Sequence, residues 1–359
     1  MRKINAILAS ILLVLIIYFV VLSPDKLDFV KKYNIDITNI PNVCGDVKLG
    51  GFSDLFYKDG YLYAITDRGP NSDDFEKDGK LYRTFLCKDY TTNLIKFKIE
   101  NDKVNIVDIK KIKGLSGMPI SAERDSIPVD KNGKQLPFDI NGADVESFVI
   151  DKDGNYWLGE EYYPSIIKLD KNLNVVKRFA PVNSKVKNPK ITYNLPEQFN
   201  NIQKNLGFES MVYDGEDHIY VFTQAGLNGE KNISVIKFNI KTEQAEDVFK
   251  YRFFKSSILS GAVYLKDKNK LLTVERLYES HFINGFDFGN NKITRKSILR
   301  PLTESDKITK NIKIEGITAD EDGNVYIIND NDFGIDSENI KNSFIMQFKL
   351  KKGELLQKK

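Results

Sequence analysis

Apolar and polar positions follow a pattern that recurs along this chain. An apolar stretch, a polar turn and a second apolar stretch lie between two marked positions, which are fifteen residues apart in four copies and fourteen in the fifth. The turns are rich in Gly, Asn and Asp, which suit tight hairpins, and the flanking runs are strand formers. Both marked residues therefore lie at the same end of a hairpin. The marked pairs are Ser53 with Asp67, Glu146 with Glu161, Glu209 with Gln224, Ser260 with Glu275, and Glu315 with Asp330.

A second, more alternating strand pair follows most of these hairpins, so that each unit has about four strands. Such units recurring every ~50 to 60 residues predict an all-β fold, a β-propeller. Five units are visible, and a sixth blade or an insertion is predicted between Gly114 and Gly142, which leaves five or six blades. A β-sandwich is the rival fold, but it would not explain marked residues at matching offsets. The predicted second pairs are residues 94–99 with 104–109, 166–169 with 175–179, and 233–240 with 245–251, followed by 344–350.

Two connecting segments carry predictions of their own. Residues 33–49 are expected to add a strand to the last blade and close the ring. Residues 196–206 form a helix candidate after the irregular stretch 181–194. This segment joins two blades, and it is interpreted as a surface excursion without a role rather than as a cover over the mouth.

The first residues differ from the rest. Met1-Arg2-Lys3 is followed by a nearly unbroken apolar run over residues 4–22. Nineteen apolar residues are enough to cross a bilayer as a helix, and the pattern favours an uncleaved signal anchor over a cleaved signal. The basic residues before it would stay in the cytoplasm, which places the remainder outside. The predicted organisation is a signal anchor or signal peptide (1–24), a linker with a ring-closing strand (25–43), a propeller (44–352) and a polar tail (353–359).

Composition narrows the classes of partner. The net charge is +3, from 53 basic and 50 acidic residues, which gives no indication of nucleic-acid binding. The two cysteines, Cys44 and Cys87, flank the first repeat and are compatible with a disulfide in an oxidising compartment, although the sequence does not decide whether it forms. With only His218 and His281 besides, there is no spacing typical of zinc ligands.

The marked positions converge on one mouth if the hairpins surround an axis. Several carboxylates within ~5 Å cannot all stay ionised without a cation or raised pKa values. Calcium accepts six to eight oxygen ligands in flexible geometry, so Ca²⁺ is the predicted cofactor. The alternative is that these acids accept backbone hydrogen bonds and only bracket each blade. The predicted metal-ligand candidates are Asp67, Glu146, Glu161, Glu209, Glu275, Glu315 and Asp330.

Three further residues are candidates for catalysis at this mouth. Arg68 follows Asp67 and Arg276 follows Glu275, and a guanidinium suits phosphate or carboxylate oxygens. Each is equally compatible with an ordinary ion pair. His281 is the candidate general base, with a plain loop residue as the alternative. A metal with one or two arginines suits ester hydrolysis, whereas the chain has no Gly-x-Ser-x-Gly elbow.

Several segments together resemble the phytase-like family described as having esterase-like activity. The resemblance covers most of residues 44–350 and implies a secreted or anchored propeller that hydrolyses phosphate or carboxylic esters. Ser53 and Ser260 occupy repeat positions where other copies carry Glu, which is compatible with one metal rather than a cluster. The segments are residues 50–55 with 66–71, 144–147 with 159–162 and 164–165, then 207–210, 311–316 and 326–330.

Two functions of different classes follow. The first is an extracytoplasmic metal-dependent hydrolase of a small-molecule ester or phosphorylated substrate, held at the membrane by its N-terminal helix or secreted if that segment is cleaved. The second is a non-catalytic, calcium-stabilised propeller that binds a ligand at the cell envelope. A purely structural role without metal is the third possibility.

Overall fold

The computed structural model describes residues 27–350 except 39, 253–256, 279, 290–291, 307, 309–311 and 336–341. The predicted signal anchor and the polar tail lie outside these residues. Within the described part, no helix has both the length and the apolar character needed to span a bilayer.

The described residues form strands joined by turns and five short 3₁₀ helices, which confirms the predicted all-β class. The 3₁₀ helices are Glu197–Asn201, Leu227–Gly229, Lys266–Lys268, Glu304–Asp306 and Asp332–Gly334. The strands are β1 Leu27–Asn34, β2 Phe52–Lys58, β3 Tyr61–Thr66, β4 Phe75–Lys77, β5 Lys80–Thr84, β6 Asn93–Glu100, β7 Lys103–Lys111, β8 Ile127–Val129, β9 Val145–Ile150, β10 Tyr156–Glu160, β11 Ser165–Leu169, β12 Val175–Pro181, β13 Ile191–Leu195, β14 Phe208–Tyr213, β15 His218–Thr223, β16 Asn232–Asn239, β17 Gln244–Arg252, β18 Ile258–Leu265, β19 Lys270–Leu277, β20 Ser280–Gly289, β21 Lys292–Leu302, β22 Lys313–Ala319, β23 Asn324–Asp330 and β24 Phe344–Leu350.

Five larger sheets are arranged in a propeller-like ring. Their strand orders are β2-β3-β6-β7, β9-β10-β11-β12-β13, β14-β15-β16-β17, β18-β19-β20-β21 and β22-β23-β24-β1. The first strand of each hairpin is innermost: β2 packs beside β9, β9 beside β14, β14 beside β18, β18 beside β22, and β22 beside β2. The five predicted hairpins are thus the two inner strands of five blades, and all the predicted second pairs form.

The stretch between Gly114 and Gly142 is an insertion and not a sixth blade. It contributes β8, which pairs with β5 in a small three-stranded sheet, β4-β5-β8. The ring is closed by β1, which lies antiparallel to β24. This strand, Leu27–Asn34, lies within the segment 25–43 given to the linker and ring-closing strand, although it begins before residue 33.

The predicted helix over residues 196–206 is wrong beyond its first turn. Only Glu197–Asn201 is helical, as a 3₁₀ turn preceded by Pro196. Asn200 and Asn201 are weak helix formers, and a single turn is stabilised by tertiary packing, here the buried Phe199 against Phe208 at a ring distance of 5.5 Å. The preceding irregular stretch contains β13, which extends the second blade parallel to β12.

Apolar side chains fill the spaces between neighbouring blades. Trp157 and Phe179 of the second blade pack against Phe238 of the third, with ring centroids 5.9 and 5.1 Å from that of Phe238. The indole Nε1 of Trp157 donates a 3.0 Å hydrogen bond to Asp151, so this large buried ring has no unmet polar group. A single four-stranded sheet cannot bury both faces alone, which is why the blades stack around an axis.

Candidate active site

A β-bulge interrupts the start of every inner strand at the same place. In the second blade, Ser147 pairs with Gly159 and Val145 with Glu160, which leaves Glu146 without a cross-strand partner. A bulge changes the direction of the extra residue's side chain and strengthens the local twist of the strand. The bulged residues are the first members of the marked pairs: Ser53, Glu146, Glu209, Ser260 and Glu315.

A cavity of about 470 Å³ lies at this end of the ring. It is lined by side chains from all five blades, which brings together residues as far apart along the chain as Ser53 and Phe333. The predicted site residues among its lining are Asp67, Arg68, Glu146, Glu161, Glu209, Arg276, Glu315 and Asp330, together with Ser53 and Gln224.

Two predicted site residues do not line this cavity. Glu275 is fully buried and accepts hydrogen bonds from Ser257 Oγ at 2.9 Å and from the Tyr251 hydroxyl. His281 is 1% exposed, and its Nε2 accepts the Ile314 N–H at 3.4 Å. Burial and the nearby Arg276 lower the pKa of His281 to about 3, so the ring is neutral. Both side chains are therefore buried inside the fourth blade. This corrects the prediction that Glu275 is a metal ligand at the mouth and His281 a general base there.

The acids of the second blade form the densest part of the site. One carboxylate oxygen each from Asp144, Glu146 and Glu161 lies within 4.8 Å of the others. Burial, then the charges of Asp144, Glu161 and Glu209, raises the pKa of Glu146 well above its usual value. Such acids share protons or hold a cation, because like charges this close cannot all be ionised in a buried site.

Three more cavity acids, Glu161, Glu209 and Asp330, have pKa values shifted in the same direction. Burial, followed by the charge of Glu209, raises the pKa of Glu161, and burial with Glu315 does the same for Glu209. Burial with the Asp332 charge raises the pKa of Asp330. The carboxylates therefore form one continuous electrostatic group around the axis.

Several buried carboxylate oxygens in the cavity lack a hydrogen-bond partner. Among the described residues, Glu161 Oε1, Glu209 Oε2 and Glu315 Oε2 are buried and accept no hydrogen bond. An unmet buried acceptor is costly, and here three of them belong to the same cavity lining. A set of carboxylate oxygens with spare lone pairs is what a hard divalent cation requires, so these residues fit a calcium ion.

The two arginines at the mouth differ in how they are held. Arg68 is 3% exposed, with Nη1 at 2.6 Å from Asp125 and Nε at 2.7 Å from Asp144. Its guanidinium lies 3.5 Å from the centre of the Tyr162 ring. Arg276 is more accessible and contacts Glu315 at 3.2 Å. Both arginines therefore form ion pairs, and the acids are not their sequence neighbours.

The small sheet and two insertions build one wall of the cavity. Asp74 accepts hydrogen bonds from Arg83 Nε and Lys204 Nζ, each at 2.7 Å, and Lys204 also lies 3.3 Å from Asp125. The neighbouring Asn205 lines the cavity. The segment interpreted as a surface excursion thus reaches the mouth.

Sequence reasoning missed some of the lining acids. Asp144 lies two positions before Glu146, and residues two apart in extended chain lie on the same side. That spacing was the available signal for Asp144, whereas Asp332 lies in a turn with a φ of 47°, where strand alternation does not apply. For Asp74, Arg83 and Lys313 the sequence offered no such signal. The insertion brings Asp74 and Arg83 to the cavity, and the register of β22 brings Lys313 there. Lys313 Nζ contacts Asp332 at 2.7 Å.

The chain belongs to the phytase-like family described as "Esterase-like activity of phytase", whose model matches residues 47–333. This confirms the resemblance seen in the sequence. The family's description indicates a hydrolase acting on a small molecule. No curated protein matches the sequence.

Solved structures of similar shape are remote in sequence. A luciferin-regenerating enzyme is 8% identical with a TM-score of 0.42, over 90% of this chain and 94% of that one. A protein of Thermus thermophilus, provisionally identified as an oxidoreductase (glucose dehydrogenase), is 10% identical with a TM-score of 0.38, over 86% and 98%. A protein of Bacteroides uniformis, provisionally identified as a 6-phosphogluconolactonase, is 11% identical with a TM-score of 0.38, over 77% of each.

Proposed function

We propose that this protein is a calcium-dependent hydrolase of phosphate or carboxylic esters that acts outside the cytoplasm, at the acidic cavity of the propeller. The observation that carries the proposal is the convergence of three buried, unpartnered carboxylate oxygens, from Glu161, Glu209 and Glu315, on one cavity. The family's description supports ester hydrolysis as the activity.

The acids that would hold the cation are Glu146, Glu161, Glu209 and Glu315, with Asp144 beside them. Calcium bound there would offset their charge and polarise an ester oxygen. The carboxylates are on strand ends fixed by bulges and packed blades, so they are already in place before a ligand arrives.

The cationic side chains would orient the substrate. Among the described residues, Arg68 Nη2 is buried without a hydrogen-bond partner, which leaves its two N–H donors free on a guanidinium whose other nitrogens pair with Asp125 and Asp144. Arg276 lies across the cavity beside Glu315. Both can donate to phosphate or carboxylate oxygens of a substrate.

The location outside the cytoplasm has two supports. One is the apolar run over residues 4–22, preceded by basic residues. The other is the bond between Cys44 and Cys87, whose Cα atoms lie 5.7 Å apart, because disulfides persist mainly in oxidising compartments.

The test uses the purified full-length chain in detergent. Elemental analysis should find calcium, and turnover of p-nitrophenyl phosphate or p-nitrophenyl acetate should be lost on chelation with EGTA and restored by calcium. Glu209→Gln should abolish turnover without unfolding the protein. Glu216→Gln is the matched control, because Glu216 lies on an exposed turn in an ion pair with Lys266.

Turnover that persists in EGTA and in Glu209→Gln would contradict the proposal. Calcium that raises the melting temperature while both esters, and a wider ester panel, stay intact would instead support the calcium-stabilised binding propeller. A protein that holds no metal and shows no response to calcium would indicate a structural role.

A further inference from the structure

Two aromatic rings, Tyr90 and Phe333, lie directly behind one side of the acidic cavity, and we name them the aromatic wedge. The rings meet edge to face, with centroids 5.6 Å apart. They pack with Cys87 in a small buried cluster that also contacts Cys44. The Cys44–Cys87 disulfide thus ties the wedge to the segment that precedes the first blade.

The Tyr90 half of the wedge packs against the backbone that holds Asp67. A methyl group added at Gly69 would lie 2.3 Å from the Tyr90 ring, so the ring rests on the glycine itself. The N–H of Gly69 donates a 2.6 Å hydrogen bond to Asp67 Oδ1. Movement of Tyr90 would therefore release the group that orients this carboxylate.

The Phe333 half packs against Gly51, next to Asp67. A methyl group at Gly51 would lie 2.2 Å from the Phe333 ring and 2.9 Å from Asp67 Oδ1. Gly51 also accepts the Asp67 N–H at 2.9 Å and donates its own N–H to Asn331 Oδ1 at 3.3 Å. Only glycine fits between the ring and the carboxylate.

Phe333 also belongs to the turn that presents the acids of the fifth blade. Asp332 and Phe333 both have positive φ angles, 47° and 54°, a left-handed conformation that costs energy in residues other than glycine. The Asp332 N–H donates a 2.8 Å hydrogen bond to Asp330 Oδ1. Such a turn persists only where its surroundings hold it, and here the buried Phe333 ring does so together with the Lys313–Asp332 ion pair.

We propose that the aromatic wedge and the Cys44–Cys87 disulfide position three cavity acids, Asp67, Asp330 and Asp332, so that removing the disulfide or the rings loosens this side of the site while the second and third blades keep theirs. The inference rests on the proposed function only in that these acids border the calcium-binding group. Tyr90 and Phe333 are positioning residues, because neither is a ligand or reacts.

The test compares the full-length protein with the double variant Cys44→Ser/Cys87→Ser and with Phe333→Leu, using hydrogen–deuterium exchange read by mass spectrometry. Peptides that contain residues 67–69 and 330–335 should exchange roughly tenfold faster in both variants. The peptide with β14 and β15, which carries Glu209 on the far side of the same cavity, should be unchanged. Tyr90→Phe keeps the ring against Gly69 but loses the hydrogen bonds of the buried hydroxyl with Thr66 and Asn93, so it should speed exchange in peptide 67–69 less than Tyr90→Leu does.

A second readout is calcium affinity by titration calorimetry, where both variants should bind roughly tenfold more weakly. Unchanged exchange at residues 67–69 and 330–335 in Phe333→Leu would overturn the inference, even if the double variant does not fold. Equal calcium affinity in wild type and Phe333→Leu would also overturn it while leaving the proposed function intact. Faster local exchange in a protein that binds no calcium would support the positioning role and contradict the proposed function.

Discussion

Carboxylate oxygens of Glu146 and Glu161 lie within 4.8 Å of each other, although fifteen positions of chain separate the two residues. The hairpin β9-β10 returns Glu161 to the end at which Glu146 began, and the bulge at Glu146 points its side chain to the axis instead of across the ladder. Asp144, whose carbonyl accepts the Glu161 N–H at 2.9 Å, completes the group. The local backbone geometry thus holds these carboxylates close together although like charges repel each other.

Neutralising one of these acids should have opposite effects with and without calcium. In EGTA, Glu161→Gln should raise the free energy of unfolding by about 1 kcal/mol, because it removes a like charge from a buried group and replaces one carboxylate oxygen by an N–H donor that its acidic neighbours can accept. In calcium it should reduce the cation-induced rise in melting temperature, because a ligand is lost. Differential scanning fluorimetry of both forms measures the two effects.

The control for this variant is Glu216→Gln, on an exposed turn. It should shift neither the melting temperature in EGTA nor the response to calcium. A lower melting temperature for Glu161→Gln in EGTA would show that the carboxylate is stabilising as a hydrogen-bond acceptor, and the repulsion argument would then be wrong.

Gly207 should be essential for the placement of Glu161. A methyl group there would lie 1.9 Å from the Glu161 carbonyl oxygen, so Gly207→Ala must displace this strand end. We expect a loss of about 1–3 kcal/mol in the free energy of unfolding, as for overpacking elsewhere, together with weaker calcium binding. Urea denaturation measures the free energy of unfolding, and titration calorimetry measures the calcium affinity.

Gly289→Ala is the matched substitution. An added methyl there meets no described atom within 4 Å, so neither stability nor calcium affinity should change much. If Gly207→Ala behaved like Gly289→Ala, the close approach between Gly207 and Glu161 would not constrain the site.

Arg68 should not tolerate lysine. Its guanidinium contacts Asp125 and Asp144 at once and stacks on Tyr162, whereas an ammonium is a point charge that cannot serve both acids in this geometry. Arg68→Lys leaves one buried acid poorly paired and should cost about 2 kcal/mol, somewhat less than deleting a partner outright.

The comparison for Arg68→Lys is Arg83→Lys. Arg83 pairs through Nε with the partly exposed Asp74 at 2.7 Å, and such a pair should lose at most about 1 kcal/mol. Urea denaturation of both variants in EGTA gives the two values. Equal losses in the free energy of unfolding would mean that the second ion pair of Arg68 does not add to the stability of the protein.

The ring of acids was predictable because it depends on hairpin length. A repeat that returns the chain to the same end fixes which residues share a mouth, whatever the details of each strand. Glu146, Glu209 and Glu315 were found this way, and Asp144, two positions before Glu146, was within reach of the same reasoning. The repeat also predicted the five blades but left a sixth open, and the family was predicted from the motifs at the marked ends of the repeat.

The fourth blade shows where such reasoning ends. Glu275 occupies the same repeat position as Glu161, yet it is taken up by Ser257 and Tyr251. The burial of Glu275 depends on a tyrosine near the end of β17, and the spacing of the repeat does not predict that contact. The wall built by Asp74, Asp125 and Lys204 joins separate insertions, and only three-dimensional packing relates them.

The metal-free protein should become less stable as the pH rises from about 4.5 to about 7. Burial raises the pKa of Glu160 from its ordinary 4.5 to about 7, although Arg178 and the Asp144 N–H partly oppose this. The unfolded chain then releases its proton first, so the folded state binds more protons across that window and the free energy of unfolding falls with pH. Burial raises the pKa of the cavity acids too, which adds to the same slope.

Urea denaturation in EGTA at half-unit pH steps measures this slope. Calcium should flatten it, because a bound cation favours the ionised carboxylates in the folded state, and Glu160→Gln should reduce it whatever the absolute stability of that variant. The lowered pKa of Asp74 makes the free energy of unfolding rise with pH, but only below the ordinary pKa of 3.8. That range lies outside the window from pH 4.5 to 7. A free energy of unfolding that rises between pH 4.5 and 7 without calcium would show that the buried acids are ionised and stabilised by groups other than a cation.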